Sequence, residues 1–218
     1  MWEWQVVWDS LPALWKGLQV TLQATFWGIL LAMSLGLIFA IIRRVSPGVV
    51  RLPLIGVLEF IRSTPLLVQL FFLFYVLPNY GITLSGFETG VVALGVHFST
   101  YTAEVYRAGI ESVPRGQWEA STALSISPVQ KWTRIVLPQA IPSVIPALGN
   151  YLVAMLKEAP LLSAVTVVDV LGEAQRICSR DFNCLEPYTM AGVLFLAISI
   201  PASFLARRLE TRFGPTTA

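Results

Sequence analysis

Charged residues fall along this chain in clumps, and the gaps between the clumps are long. No Asp, Glu, Lys or Arg occurs from Gly17 to Ile42, from Ser63 to Phe87, from Ile135 to Leu156 or from Pro187 to Ala206. Each gap reaches the roughly 20 residues a helix needs to cross a hydrocarbon core. A fifth candidate lies between Glu88 and Glu104, where only 15 residues are uncharged, so one acidic group must sit near or within a membrane edge. The pattern predicts an all-α integral membrane protein with five transmembrane helices. Residues 1–16 read as an outer interfacial segment, 17–207 as one transmembrane domain and 208–218 as a cytoplasmic tail.

Composition agrees with this reading. The chain is 55% hydrophobic and 13% charged, about half the usual charged fraction of roughly 25% in soluble domains. Its mean hydropathy is +0.67. Five spans put the termini on opposite sides, and Lys/Arg counts orient them. Alternate connecting segments hold 11 basic residues (Arg43, Arg44, Arg51, Arg62, Arg107, Arg115, Lys131, Arg134, Arg207, Arg208 and Arg212) against 4 (Lys16, Lys157, Arg176 and Arg180). The richer side is cytoplasmic, which places the N-terminus outside and residues 107–138 inside. Three Trp before Asp9 and the absence of a basic start argue against a cleaved leader and suit a helix lying along the outer interface.

Residues 114–138, PRGQWEASTALSISPVQKWTRIVLP, are too polar to span and too apolar for a simple linker. Two helices are expected in this loop. Pro114 ends the preceding segment and Gln117–Leu124 has apolar residues at helical spacing. Ser127, Pro128 and Gln130 then supply a second start, with Ser at the cap and Pro at the first helical position, and Leu137-Pro138 closes it. An amphipathic helix on the lipid surface would account for the charge pattern but not for the ordered series of Glu119-Ala120-Ser121, Leu124-Ser125, Ile135 and Leu137-Pro138.

That series resembles the EAA loop of ABC importer membrane subunits. The resemblance implies a pair of cytoplasmic helices seated in a groove of a partner ATPase, with Gln117, Glu119, Ala120, Ser121, Leu124 and Ser125 as coupling residues. Two positions depart from the family pattern. Ser121 replaces an Ala, and Ser125 replaces a Gly that can adopt positive φ, a substitution costing up to about 1 kcal/mol. The likeness extends to residues 59–70 (EFIRSTPLLVQL), 100–117 (TYTAEVYRAGIESVPRGQ) and 149–162 (GNYLVAMLKEAPLL), which look like the membrane subunits of polar amino-acid importers of the histidine/glutamine/arginine type.

What the resemblance implies is a permease subunit in the cytoplasmic (inner) membrane of a prokaryote, multi-pass in the bilayer. Its expected partners are two ABC ATPase subunits, a second permease subunit, identical or homologous, and an extracytoplasmic solute-binding protein, with no nucleic acid. ATP and Mg belong to the partner ATPase, and no cofactor is expected on this chain. The expected substrate is an amino acid, with a compatible solute such as ectoine as the alternative.

Several residues stand out by their chemistry. Thr64-Pro65 forbids a straight helix in the second span, and Arg62 can meet Glu59 one turn earlier. Glu104 and Arg107, three apart on one face, can neutralise one another as a structural pair or a gate. Pro138, Pro142 and Pro146 recur every four residues and should kink or tightly pack the inner half of span four. Asn150 and the pair Lys157-Glu158 carry polar chemistry toward the outer leaflet. A zwitterion needs both signs of charge, so these three are candidates for the translocation path; the other reading has Lys157 and Glu158 reaching outer water. The family pattern has Lys-Asp-Thr-Ser-Leu there, and Ala159-Pro160 replaces its hydroxyl pair.

His97 reads as a hydrogen-bonded packing residue rather than a proton relay. Cys178 and Cys184 fall in one outer loop, either bridged or as two thiols. No cluster has metal-ligand spacing, and neither a phosphate-binding G-x-x-x-x-G-K-[ST] nor a catalytic set occurs. The chain is therefore expected not to be an enzyme. A helical membrane channel or scaffold with a regulator-docking helix is the reading from another class.

Overall fold

Small residues recur along the first helix at one helical face: Gly17, Thr21, Ala24, Gly28, Ala32, Gly36 and Ala40. Such a stripe lets neighbouring backbones come close in a bilayer, where dispersion contacts and interhelical hydrogen bonds drive association. In the computed structural model, which describes residues 2–213, all seven are buried. Helix α1 (Trp4–Val45) runs 42 residues, about 63 Å at 1.5 Å per residue and so roughly twice the hydrocarbon thickness. The expected interfacial segment is not set apart by a break: residues 4–16 continue directly into the first span, with Leu14 and Leu18 packed on Val170, Ala174 and Ala191.

The described residues are otherwise helical with short connections. They form α2 (Gly48–Ser63), α3 (Leu66–Phe71), α4 (Gly86–Glu111), α5 (Arg115–Ala123), α6 (Pro128–Gln130), α7 (Leu137–Glu158), α8 (Val170–Asp181) and α9 (Leu185–Phe213). Three runs, Trp4–Val45, Pro128–Val165 and Leu185–Phe213, are long and apolar enough to cross a membrane, and the bent pair α2–α3 makes a fourth if counted as one span. The bend is 102° and falls at the Thr64-Pro65 break. Beyond α3 the chain widens to π turns at Phe72–Val76, tightens to a 3₁₀ turn at Leu77–Tyr80 and stops at Gly81, whose φ is 83°. The helical part of the second expected span therefore ends well before Phe87.

α4 carries hydroxyls, an imidazole and ionic residues along a largely buried helix. Its acidic start is explained locally: Ser85 accepts from the Glu88 amide at 3.2 Å while the Glu88 carboxylate accepts from the Ser85 amide at 2.8 Å, a capping box that gives Glu88 two roles at the helix mouth. Its hydroxyls, imidazole and ionic residues are tolerated because it lies between α1, α2, α3 and α7.

Contacts set the helix directions. Leu94 meets Gly28 and Thr102 meets Gly36, so α1 and α4 run parallel. Leu162 meets Gly90 and Val144 meets Gly109, so the 128–165 run opposes α4. Leu209 meets Gly149 while Ser203 shares a groove with Lys157, so α9 opposes α7. The main core joins Ala24, Ala32, Leu66, Leu94, Phe98 and Met155 from four helices.

Leu137-Pro138 does not close the second loop helix. Residues 131–136 form π turns in which the Leu137 amide reaches back to the Trp132 carbonyl, and α7 begins without a break. The wider turn shifts the hydrogen-bond register just ahead of the first proline, which has no amide to place in the ladder. Seven residues of 3₁₀ helix, Ala159–Val165, then extend α7.

A side chain at Gly36 would collide with Thr102 and come within 2.9 Å of the Ala103 amide nitrogen, whereas nothing lies within 4 Å of a side chain placed at Gly56. Gly36→Val should destabilise the protein by about 1–3 kcal/mol through overpacking, and Gly56→Ala should leave it unchanged or up to about 1 kcal/mol more stable. Thermal unfolding of the purified protein in one detergent compares the two; equal midpoints would show that the α1–α4 contact is not tight.

Candidate functional site

The 114–138 loop is built around two tryptophans. Trp118 on α5 and Trp132 in the π segment meet edge to face with centroids 5.4 Å apart, over a small core of Ile110, Val113, Val136 and Ala140. This pins α5 to the ends of α4 and α7. Arg44 of α1 lies over the Trp118 ring at 4.9 Å, and Lys131 donates to the Thr122 hydroxyl at 2.9 Å. The loop is thus connected to α1, α4 and α7 through side-chain contacts.

The turn between its two helices follows from backbone hydrogen bonding. The Ser125 amide bonds the Thr122 carbonyl and the Ile126 amide bonds the Ser121 carbonyl, both at 3.0 Å, the reciprocal pair of a Schellman ending. That ending needs a left-handed residue, and Ser125 supplies it with φ 53°. Ser127 then caps the second helix, accepting from the Gln130 amide at 3.4 Å.

Of the six residues expected to couple, Gln117, Glu119, Ala120, Leu124 and Ser125 are exposed. Leu124 is 74% exposed, so the end of α5 presents an uncovered apolar side chain beside an acidic one. Ser121 differs: it is 1% exposed and its hydroxyl donates to the Trp118 carbonyl at 2.8 Å. A small residue is needed there because the position faces inward.

Glu104 is held from two sides. Arg43 of α1 bonds one carboxylate oxygen and Arg107 the other at 2.8 Å, while Arg107 also reaches Glu111 at 2.5 Å. The sequence pointed to Glu104 and Arg107; Arg43, 61 residues away, enters only through the parallel packing of α1 and α4. Arg62 pairs with Glu59 one turn earlier.

Asn150 and Lys157 lie on one face of α7 and share a groove of about 390 Å³ with Ser203, Arg207 and Glu210 of α9. Asn150 donates to Glu210 at 2.7 Å. Glu158 does not line this groove and is half-buried. Because the helical run continues to Val165, neither residue ends it. Lys157 shares the groove with Ser203, well inside α9 rather than near its first turn.

A second polar cluster forms around His97, which was expected to be a hydrogen-bonded packing residue but whose partners were not anticipated. His97 is buried, its Nδ1 lies 3.0 Å from the Gln69 amide nitrogen, and its ring meets Tyr101 at 5.4 Å. Tyr101 in turn meets Tyr151 at 5.5 Å and lies under Arg62 at 6.0 Å. The Thr64-Pro65 bend brings these together; the Gln69 side chain bonds the Ile61 and Thr64 carbonyls freed there.

On the opposite end, Cys178 and Cys184 are joined, with Cα atoms 4.4 Å apart, tying the end of α8 to the approach to α9. Asp169 caps α8, accepting from the Gly172 amide at 2.7 Å, and burial pushes its carboxyl up to about 6 against the pull of that bond. The Arg180 fork holds Asp181 below the usual carboxylate range. A cavity of about 650 Å³ opens beside α8, with Asp9, Ser163, Glu173, Arg176 and Arg180 among its lining residues.

Left-handed backbone at a β-carbon residue costs about 1–2 kcal/mol, partly offset in glycine by its freedom when unfolded. Ser125→Gly should therefore raise stability by up to about 1 kcal/mol, and Ser125→Val should lower it. The unfolding midpoint and amide exchange at Ile126 report both; a less stable Gly variant would contradict the strain assignment.

The sequence profile described as "Binding-protein-dependent transport system inner membrane component" matches residues 10–215. The probable amino-acid ABC transporter permease protein y4tG of Sinorhizobium fredii is 50% identical over 200 residues, covering 92% of this chain and 87% of that protein. The L-cystine transport system permease protein TcyB of Bacillus subtilis is 33% identical, with 96% of this chain and 90% of that protein covered. A solved structure of an amino acid ABC transporter with histidines superposes with a TM-score of 0.89 at 32% identity, over 97% of this chain and 99% of that one. With a profile match over nearly its whole length, this chain belongs to the family of binding-protein-dependent transport system inner membrane components.

Proposed function

We propose that this chain is the permease subunit of an ATP-driven ABC importer and forms half of a translocation path for a polar amino acid. The observation that carries the reading is the agreement along the full chain with amino-acid ABC transporter permeases, in sequence and in fold. An extracytoplasmic binding protein delivers the solute, two partner ATPases bind and hydrolyse ATP with Mg, and a second permease, identical or homologous, completes the membrane domain.

Five crossings with the N-terminus outside fit the alternating helix directions: α1, α4 and α9 run one way, while the 128–165 run and the bent α2–α3 pair, with Arg51 beside Arg107 and Gln69 beside His97, return. This orientation gathers the arginine-rich ends with α5 on the cytoplasmic side. There α5 seats in the ATPase as the coupling helix, presenting Glu119 and Leu124. Its packing through Trp118 and Trp132 transmits ATPase closure to α4 and α7 as a rigid displacement, and ATP shifts the balance between inward-open and outward-open states by binding them unequally. Glu104, between Arg43 and Arg107, keeps the ends of α1 and α4 moving together.

Glu119→Lys should leave folding intact, since the side chain is exposed, yet reduce transport and solute-stimulated ATP hydrolysis at least about tenfold, because charge reversal at a docked contact costs several kcal/mol. Both are read on the reconstituted assembly. Normal values for each would remove Glu119 from the coupling surface.

Lys157 and Glu158 act on the solute in this reading. Lys157→Met or Glu158→Gln should lower solute-dependent transport by about 10- to 100-fold, the effect of losing one charge-assisted hydrogen bond, while ATPase association and basal hydrolysis persist. The two need not respond alike, since neighbours on a helix point about 100° apart. Unchanged uptake kinetics in both at wild-type expression would leave them with a structural role alone.

A further inference from the structure

Where the arginine-rich ends gather, α1, α2 and α4 enclose a cavity of about 390 Å³. Four arginines line it, Arg43, Arg44, Arg51 and Arg107. Their carboxylate partners are fewer. Glu104 is taken up between Arg43 and Arg107, and Glu111 is bonded to Arg107. Among the described residues, neither Arg44 nor Arg51 has a carboxylate within ion-pair distance. Arg44 is held over the Trp118 ring, which orients the guanidinium without neutralising it. Two positive charges are therefore left over in a partly enclosed space.

Apart from Glu111, whose carboxylate is taken up by Arg107, the rest of the wall is aliphatic: Ala40, Leu52, Ile55 and Ile110. Next to it the α1–α2 turn exposes Val45, Val49 and Leu52. A small inorganic anion would use the arginines and leave this apolar strip in water. A ligand whose phosphate is joined to a hydrocarbon chain satisfies both, the guanidinium forks taking the phosphate oxygens and the aliphatic strip taking the glycerol end of the tail. Position agrees with chemistry, since the charged residues follow the long uncharged stretch of α1 and so lie where lipid headgroups meet the bundle.

We propose that this cavity binds the headgroup phosphate of an anionic phospholipid of the cytoplasmic leaflet. Arg44 and Arg51 supply the attraction that zwitterionic lipids do not repay, and Arg43 and Arg107, already paired, shape the wall. The site lies directly beside the contact between α1 and the 114–138 loop, so the lipid is a neighbour of that loop rather than a general solvent.

The purified assembly, in nanodiscs of phosphatidylcholine mixed with phosphatidylglycerol, tests this by native mass spectrometry after detergent extraction. The readout is phosphatidylglycerol retained per permease chain, which needs neither ATP nor solute and so stands or falls apart from the transport reading. Wild type should retain phosphatidylglycerol over phosphatidylcholine. Arg51→Gln, at an exposed position with no ion pair, should weaken retention about fivefold, Arg44→Gln combined with Arg51→Gln about 25-fold as the two effects multiply, and Arg51→Lys should restore most of it. Equal retention by wild type and the double variant, at matched elution volume, would overturn the proposal. Inorganic phosphate at constant ionic strength should not displace the lipid; displacement by phosphate and not by chloride would assign the cavity to a soluble anion and equally overturn it.

Discussion

The close approach of α1 to its neighbours is the constraint on which the rest of this fold depends. Water is absent from the hydrocarbon core, so burial of apolar surface gives little reason for one helix to prefer another helix over lipid. What remains is contact at short range. The stripe from Gly17 to Ala40 provides it along most of α1, letting the Asp169 carbonyl come within 2.6 Å of where a side chain would sit on Gly17 and Thr102 donate at 2.7 Å to the Ala32 carbonyl. With α1 and α4 in register, Arg43 meets Glu104 at one end and α8 is seated at the other. A bulky residue in the stripe would disturb both ends at once.

Against this regular pair, the remaining helices are irregular, and the irregularities lie beside polar groups. The Thr64-Pro65 bend frees carbonyls that Gln69 takes up, and Gln69 then meets His97. π turns precede the proline series in α7, and 3₁₀ turns follow Glu158. Such backbone is stable at membrane depth only where protein or a water-filled cavity receives its polar groups. Here the polar groups beside each irregular stretch lie within the protein, so the backbone is not exposed to lipid.

The loop between α4 and α7 is a polar surface held firmly by its own packing. One aromatic contact and a small core fix α5, a left-handed serine sets the angle to the next helix, and the continuous run through the π segment leaves no flexible joint before α7. A displacement of α5 therefore has few ways to be absorbed locally.

Much of this was determined by the sequence alone. Charge-free gaps define apolar helices because charges are costly in hydrocarbon, Ser127-Pro128 starts a helix because of what its side chain and missing amide do locally, and Thr64-Pro65 must bend. The small-residue stripe and the Ser85–Glu88 cap lie in the sequence as spacing patterns, but only the packed helices single them out from the other small and polar residues. Tertiary structure decided what depends on partners distant in the chain: that Arg43 shares Glu104, that Ser121 faces inward, that Asn150 bonds Glu210, and that Lys157 shares a groove with Ser203, well inside α9. It also decided that Leu137-Pro138 continues a helix instead of ending one, since a proline's missing amide can be absorbed by a wider turn once neighbours hold the rod in place. Local rules fix what a segment can form; only packing fixes which groups meet, because a helix presents every face and its neighbours select one.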